Sequence, residues 1–170
     1  MSTFLTAEQE TLATEIAELL IARGETVGVS EGTTGGLVSA ALLWVAGASR
    51  YYRGGGVLYT LPSRVALGGV PAESYADYRG TTPELLAELT ESVRARLDAT
   101  WCIGESGLAG PTGSRYGAPA GRTTVAVAGP VTRAEIIETG VTDRAENMVR
   151  FTTIALAYLR DAIREAPAKG

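Results

Sequence analysis

Two glycine-rich segments of the chain carry hydroxyl and carboxyl side chains at spacings that suit a ligand site. The first runs from Ser30 to Gly36 and the second from Ser106 to Gly113. Each follows a short apolar run, which predicts a strand leading into a turn. Glycine lets the backbone approach a ligand closely, and the neighbouring hydroxyls can donate and accept hydrogen bonds. Brought together at one sheet edge, the segments would form a site for a small polar or anionic molecule.

Carboxyl and hydroxyl groups are the candidates for chemistry at these segments. Glu31 and Glu105 each follow a predicted strand, and two carboxylates there could orient a water molecule or bind an amide N–H. Thr33 could supply a nucleophilic hydroxyl, although its side chain could also point elsewhere. Thr34 could likewise offer its hydroxyl to a ligand or a reaction, but it is expected to cap the next helix, because a threonine just before an apolar helical stripe commonly does so.

The glycines of the first segment allow both a structural and a functional interpretation. Gly32 fits a tight turn, and it would also leave room for a substrate or a water nucleophile. Gly35 and Gly36 stand at the predicted start of a helix. The first N–H groups of a helix lack partners inside the helix, and they carry partial positive charge. We therefore expect the N–H groups of Gly35 and Gly36 to donate to a bound ligand.

The residue types that the chain lacks exclude several mechanisms. It has no histidine, so a Ser-His-Asp or Cys-His catalytic set and histidine ligation of zinc are excluded. Cys102 is the one cysteine, which allows neither an internal disulfide nor a thiolate zinc site. The one lysine is Lys169, outside the predicted helices and strands. Acid–base work therefore falls to carboxyls, tyrosine, hydroxyls, substrate or water, and we predict no metal and no cofactor.

Length and composition predict one globular domain over residues 1–170. The chain is 45% hydrophobic and 20% charged, which is ordinary for a compact core. Its net charge of −4 and its lack of a basic cluster argue against nucleic acid as a partner. No apolar run approaches the length of a membrane span. We expect a cytoplasmic protein whose partner is a small molecule rather than a membrane or nucleic acid.

Helical and strand patterns alternate along the chain. Helices are predicted over residues 6–22, from 34 or 35 to about 45, and over 63–67, 82–97 and 143–162. Strands are predicted over residues 26–30, 54–60, 100–104, 123–128 and 135–139, the last two as a hairpin. This order predicts an α/β fold, a single-domain three-layer α/β/α sandwich with a mixed sheet.

Five motifs, in order, resemble those of the CinA C-terminal domain family, the nicotinamide-nucleotide amidases. The matching segments are Glu31-Gly32-Thr33-Thr34-Gly35-Gly36, Ala46-Gly47-Ala48-Ser49, Gly55-Gly56-Val57-Leu58-Tyr59-Thr60, Gly107-Leu108-Ala109-Gly110-Pro111-Thr112-Gly113 and Thr142-Asp143-Arg144. The resemblance covers residues from about 12 to 159 and implies the family's fold and a homodimer or higher assembly. It also implies further ligand-binding residues, which are Ser49, Gly107, Ala109, Gly110 and Arg144.

The resemblance implies an enzymatic activity, but this chain lacks two of the catalytic residues that the family uses for it. The family hydrolyses the carboxamide of nicotinamide mononucleotide with a serine nucleophile in the first turn, assisted by a nearby tyrosine and lysine. Gly32 stands at the serine position and Arg64 at the lysine position, so that Tyr59 alone remains of that group. Arginine stays protonated in proteins, so Arg64 cannot act as a base, but it could pair with a phosphate or carboxylate.

Three functions are compatible with these residues. The first is a divergent amidohydrolase that breaks an amide or other C–N bond by altered chemistry, with Glu31, Thr33, Tyr59 and Glu105 as its candidate catalytic groups. The second is a catalytically inactive relative that binds a nucleotide or small metabolite through the glycine turns. The third is nicotinamide mononucleotide deamidation by a rearranged catalytic set. Loss of both serine and lysine argues against the third, because removing either partner of such a unit costs orders of magnitude in rate.

Overall fold

Helices and strands alternate along the chain in the computed structural model, which describes residues 2–168. The helices are α1 (Ala7–Arg23), α2 (Leu37–Trp44), α3 (Leu61–Ala66), α4 (Pro83–Arg96) and α5 (Arg144–Glu165). The strands are β1 (Val27–Glu31), β2 (Tyr52–Val57), β3 (Trp101–Leu108), β4 (Arg122–Ala128) and β5 (Arg133–Glu138). Short 3₁₀ turns cover Ala48–Arg50 and Ala72–Tyr75. Lys169 lies outside the described residues.

The five strands form one mixed sheet in the order β2-β1-β3-β4-β5. Strand β1 pairs in parallel with β2 and β3, whereas β3 with β4 and β4 with β5 are antiparallel. Helices α1, α2 and α5 pack on one face of the sheet, and α4 packs on the other. The predicted single-domain α/β fold, with a mixed sheet between two helical layers, is confirmed.

Each face of the sheet has its own apolar core. Beneath α1, α2 and α5, Trp101 and Leu159 are fully buried, as is Tyr51. Beneath α4, the core contains Leu86 and Cys102. Burial raises the pKa of the Cys102 thiol, because an apolar environment disfavours the thiolate. Side chains of β3 therefore alternate between the two cores, and this alternation later decides which groups share a site.

Three helix starts follow the capping signals in the sequence. Thr6 accepts a hydrogen bond from the Gln9 N–H at 3.2 Å in a capping box, which starts α1. Thr82 precedes α4 and accepts from the Leu85 N–H, and Asp143 precedes α5 and accepts from the Glu146 N–H. These three predicted starts are confirmed.

Several boundaries differ from the prediction, and two of these differences affect the candidate site. Helix α2 begins at Leu37 rather than at residue 34 or 35, because Gly35 and Gly36 adopt positive φ angles of 64° and 103° in the preceding turn. Strand β3 runs to Leu108 rather than ending at residue 104, so the second glycine segment begins as a strand. Its residues 106–108 stay in the antiparallel ladder with β4, whose register extends to the Leu108–Arg122 pair.

The glycines within the sheet allow close packing, which gives a test of the fold. A Cβ added at Gly55 of β2 would lie 2.2 Å from the Val29 backbone oxygen in β1. At Gly56 the nearest atom would be the Leu58 Cδ2 at 3.5 Å, an ordinary contact. We expect Gly55→Ala to lower the free energy of unfolding by about 1–3 kcal/mol through overpacking, while Gly56→Ala has little effect. Equal urea midpoints for the two variants would contradict the close pairing of β1 and β2.

Two kinds of feature are absent from residues 2–168. No helix there combines the length and the apolar character needed to cross a membrane. No group of three or more carboxylate or cysteine side chains in that range is placed to hold a metal ion.

Candidate functional site

Glu31, the last residue of β1, organises the turn that follows it. Its Oε1 atom accepts hydrogen bonds from the Gly36 N–H at 2.7 Å and the Val38 N–H at 3.2 Å, and its Oε2 atom accepts from the Ser39 N–H at 2.9 Å. Glu31 is 1% exposed. Its carboxylate thus occupies the positive end of α2, where a helix favours negative charge. These contacts support a structural role rather than the catalytic one that the sequence suggested.

The N–H groups that the sequence offered to a ligand are already engaged. The Gly36 N–H donates to Glu31, and the Gly35 N–H donates to the Gly32 carbonyl oxygen at 3.1 Å. Thr34 donates its hydroxyl to Glu31 Oε1 at 2.7 Å and makes no cap of its own on α2, which begins after Gly36. The expectations of free N–H donors at 35 and 36 and of a Thr34 helix cap are therefore wrong.

Glu105 holds the same turn from the neighbouring strand β3. Its Oε2 atom accepts from the Gly32 N–H at 3.3 Å and the Thr34 N–H at 3.0 Å. Its Oε1 atom accepts from the hydroxyls of Thr33 and Thr123, the latter at 2.9 Å. The Thr34 hydroxyl lies 3.1 Å from Oε2 as well. The Thr33 side chain therefore points to Glu105, and both groups serve the turn.

The burial of Glu105 affects its protonation. The side chain is 2% exposed, and desolvation raises the pKa of its carboxyl above the ordinary value of 4.5. Hydrogen bonds from Thr33, Thr34, Thr123 and Gly32 oppose that shift by favouring the carboxylate. Glu105 points towards the α5 side of the sheet, so strand β3 itself separates this carboxyl from the other face.

Gly32 lies against the side chain of Ser106 on the α4 side of β3. A Cβ added at Gly32 would lie 3.6 Å from the Ser106 Cα and 3.9 Å from its Cβ. The expected meeting of the two glycine segments at one sheet edge is confirmed at this contact. The space where a side chain at position 32 would begin therefore borders the Ser106 hydroxyl.

Arg64 of α3 reaches the same hydroxyl from inside the protein. It is 3% exposed, and its Nη2 donates to Ser106 Oγ at 2.7 Å. Its Nη1 donates to Thr81 Oγ1 at 3.0 Å, and its Nε donates to the Leu58 carbonyl oxygen at 3.3 Å. Thr81 Oγ1 in turn lies 2.9 Å from Ser106 Oγ and 3.1 Å from the Tyr78 hydroxyl. Arg64, Ser106, Thr81 and Tyr78 thus form one connected polar chain.

A cavity of about 530 Å³, here the Ser106 cavity, opens beside this polar chain. Its floor is formed by residues 106–108 of β3 together with Arg122 and Thr124 of β4, and its walls by residues 77–82 and by 114 and 116–119, with Leu85 of α4. The Thr124 hydroxyl donates to the Thr81 carbonyl oxygen at 3.0 Å and fixes one wall to the sheet. Its size suits a small metabolite.

Of the predicted site residues, Gly107 alone lines the Ser106 cavity, and Tyr59 and Ser49 are among those that do not. Tyr59 follows β2 and is 57% exposed. Ser49 is exposed in the 3₁₀ turn before β2, near the end of the sheet where Val27 of β1 pairs with Tyr52. That end is opposite to the one that Glu31 occupies. Within one chain, Ser49 is therefore separated from the glycine turns, contrary to the grouping that the motifs suggested.

The second glycine segment is attached to the start of α5. Arg144 is exposed, and its Nη1 donates to the Gly110 carbonyl oxygen at 2.8 Å. Asn147 donates to the carbonyl oxygen of Ala109, which is buried, at 2.8 Å. Arg144, Ala109 and Gly110 therefore hold a loop in place, whereas Gly107 lines the Ser106 cavity.

Sequence reasoning missed the side chains that complete the polar chain. Ser106 was identified as the first residue of the second glycine segment. Because β3 was predicted to end before it, the sequence did not show which face of the sheet its side chain occupies. Thr81 and Tyr78 stand in a loop 17 and 14 positions after Arg64, with no motif to mark them. Only the tertiary structure, in which the Arg64 side chain of α3 donates to Thr81 and Ser106, brings these residues together.

A sequence model of the CinA C-terminal domain matches residues 9–163 of the chain. The chain belongs to the CinA C-terminal domain family. The family resemblance in the motifs is confirmed, together with the fold that it implied.

Named CinA relatives agree with this membership. The chain is 36% identical over 160 residues to a CinA-like protein of Gloeobacter violaceus, and 36% identical over 158 residues to one of an Anaeromyxobacter species. Each alignment covers 92% of this chain but only 37% and 38% of the relative. The chain thus spans less than two fifths of the length of these CinA relatives.

Solved CinA structures share the whole architecture. The competence damage-inducible protein A of Klebsiella pneumoniae superposes with a TM-score of 0.87 at 28% identity, covering 92% of this chain and 98% of that one. The competence/damage inducible protein CihA of Agrobacterium tumefaciens superposes with a TM-score of 0.86 at 26% identity, covering 97% and 100%. These CinA proteins are about the size of the present chain.

Proposed function

We propose that this CinA-family chain binds a small molecule in the Ser106 cavity and has lost the serine–lysine hydrolysis implied by the family resemblance. The observation that carries the proposal is the polar chain from Arg64 through Ser106 and Thr81 to Tyr78, which borders a cavity of about 530 Å³. A cavity lined by apolar surface and a few convergent polar groups is the usual form of a small-molecule site.

The positions of the charged groups favour binding over hydrolysis. Glu31 and Glu105 accept hydrogen bonds from the turn through both carboxylate oxygens, so neither is free to take a proton from water in this arrangement. Gly32 has no side chain, and an arginine such as the one at position 64 does not serve as a base in proteins. A nucleophile without a base close to it reacts slowly at neutral pH. The site therefore contains the groups needed to bind a small molecule, but it lacks the base that hydrolysis requires.

Calorimetric titration and an ammonia assay on the same purified protein test this proposal. We expect nicotinamide mononucleotide or another small metabolite to bind saturably while nicotinamide mononucleotide releases no ammonia above the uncatalysed rate. Ser106→Leu, which fills the cavity floor, should abolish the binding heat, and Ser49→Leu at the opposite sheet end serves as the matched control. Equal affinity in the two variants would place the ligand elsewhere and refute the cavity as the site.

Hydrolysis of an amide or other C–N bond is the second candidate, and the surroundings of Ser106 favour it. Its hydroxyl borders the position that a side chain at Gly32 would occupy, and it lies 2.7 Å from the Arg64 guanidinium, which would stabilise a developing alkoxide. In that reaction the Ser106 oxygen would bond to the amide carbon, the C–N bond would break as the hydroxyl proton passes to the leaving nitrogen, and water would then hydrolyse the resulting ester. Ammonia release from a panel of small amides that Ser106→Ala abolishes, and Thr33→Val preserves, would establish this alternative in place of simple binding.

A further inference from the structure

We propose that the Ser106 cavity is an oxyanion site, in which a carboxylate or phosphate group of the ligand supplies the countercharge that Arg64 lacks. This inference rests on the proposed binding function and specifies the class of ligand. The ligand oxygen would accept a hydrogen bond from the Ser106 hydroxyl and lie within the field of the buried guanidinium.

The partners of Arg64 are all electrically neutral. Its three donor nitrogens bond to the Leu58 carbonyl oxygen and to the hydroxyls of Thr81 and Ser106. None of the ion pairs formed among residues 2–168 includes Arg64. A buried charge is unfavourable unless an opposite charge and hydrogen bonds compensate it. A bound anion would provide that compensation, so the site is already arranged for negative charge.

Tyr75 adds a second sign that this region is incompletely paired. Its side chain is 8% exposed, and its hydroxyl is buried without a hydrogen-bond partner among the described residues. The Tyr75 ring packs edge-on against that of Tyr78, with ring centroids 6.1 Å apart. Burial raises the pKa of Tyr75, the positive charge of Arg64 acts to lower it, and the carboxylate of Glu88 acts to raise it. This region therefore contains positive charge and hydroxyl groups, and the exposed Glu88 is a carboxylate that also acts on Tyr75.

The hydroxyls of the polar chain can direct a proton towards the cavity. Arginine only donates, so Ser106 and Thr81 use an oxygen lone pair on Arg64 and keep their own protons for other acceptors. When Tyr78 donates to Thr81 and Thr81 donates to Ser106, the Ser106 proton is free for a ligand. The distances of 3.1 Å and 2.9 Å permit this direction. A ligand oxygen that accepts a hydrogen bond from Ser106 would favour this direction of donation.

The lining charges also favour an anion. Arg79 and Arg122 line the cavity, and Asp77 is the one acidic residue among the lining residues. Together with Arg64 behind the floor, the cavity is positive, although the chain as a whole carries a net charge of −4. A positive cleft within an acidic protein concentrates anions at that place.

Titration with simple probes at constant ionic strength tests the oxyanion site. Inorganic phosphate and acetate are the two anionic probes, and nicotinamide is the neutral one; binding is followed by calorimetry or by amide chemical shifts. We expect at least one anion to bind saturably, and the tighter one identifies the oxyanion as phosphate or carboxylate. Arg64→Met and Ser106→Ala should each weaken that binding at least about tenfold, as loss of a charge or a charge-assisted hydrogen bond does.

Arg53→Met is the matched control, because Arg53 is half exposed and pairs with Asp98 at 3.7 Å on the surface. Its anion affinity should equal that of the native chain. If Arg64→Met does not fold, Ser106→Ala decides the result. Equal weakening in Arg53→Met, or no saturable anion binding while nicotinamide binds, overturns the oxyanion site and leaves the binding function standing. If neither anions, nicotinamide nor nicotinamide mononucleotide bind, both proposals fail.

Discussion

Nicotinamide mononucleotide deamidation is expected to appear when Gly32→Ser and Arg64→Lys are combined in one variant. The native chain should release no ammonia from this substrate. The double variant should exceed the native rate by roughly a hundredfold or more, since a nucleophile and its base act as a unit worth orders of magnitude in rate. Ammonia release with the nicotinate mononucleotide as co-product is the measurement.

The geometry around Ser106 explains why the two changes belong together. A Cβ at position 32 would meet the Glu105 carbonyl oxygen at 3.2 Å, which a small shift relieves, and the glycine there has no positive φ. That Cβ would point to the side of β3 where Ser106 contacts Arg64. A lysine at position 64, buried without a carboxylate, would have its pKa lowered and could accept a proton, which arginine cannot.

A variant with Gly32→Ala and Arg64→Lys is the control, because it adds the Cβ at position 32 and the lysine at position 64 without adding a hydroxyl. It should remain inactive. An inactive but folded double variant that binds the nucleotide would show that positions 32 and 64 do not correspond to the serine and lysine of the family. The departure of this chain from the family would then lie elsewhere in the site.

Much of the fold could be predicted from local signals. Thr6, Thr82 and Asp143 precede helices in ways that depend only on neighbouring residues, and all three helices start there. The alternation of helices and strands likewise predicted the mixed sheet. Local signals also located both glycine segments, because each follows a recognisable apolar strand.

The contacts that define the site could not be predicted in the same way. Glu105 reaches a turn more than 70 positions earlier in the chain, and Arg64 reaches Ser106 across 42 positions. Which face of β3 a side chain occupies depends on register, and the early end assigned to that strand left Ser106 in a turn. Because Glu105 stands beside a glycine turn, the sequence suggested a catalytic role for it. The carboxylate instead accepts hydrogen bonds from backbone N–H groups of the first turn, which need an acceptor when they are buried.

Glutamine substitutions at Glu31 and Glu105 are expected to have very different effects, although both carboxylates are buried. Glu31→Gln should lower the free energy of unfolding by about 2–3 kcal/mol, the cost of an unpaired buried donor with loss of charge at a helix end. Glu105→Gln should change it by less than about 1 kcal/mol. Urea unfolding at pH 7 measures both.

The difference arises from which donors each oxygen serves. Both oxygens of Glu31 accept backbone N–H groups, those of Val38 and Ser39 among them, and an N–H group cannot become an acceptor. A glutamine amide nitrogen placed there would face a donor. At Glu105, Oε2 serves the backbone N–H groups while Oε1 serves the hydroxyls of Thr33 and Thr123. Those hydroxyls can rotate to accept from a glutamine nitrogen.

The pH dependence of stability gives a further test at Glu105. Desolvation raises the pKa of Glu105 above 4.5, so the stability that its protonated form contributes is complete below the pKa of the unfolded chain. That contribution is lost as the pH rises through the folded value. Glutamine does not ionise, so Glu105→Gln does not lose this stability at higher pH. The variant should therefore gain stability relative to the native chain as the pH rises above about 4.5. A difference that does not change with pH would mean that the surrounding donors cancel the effect of burial on Glu105.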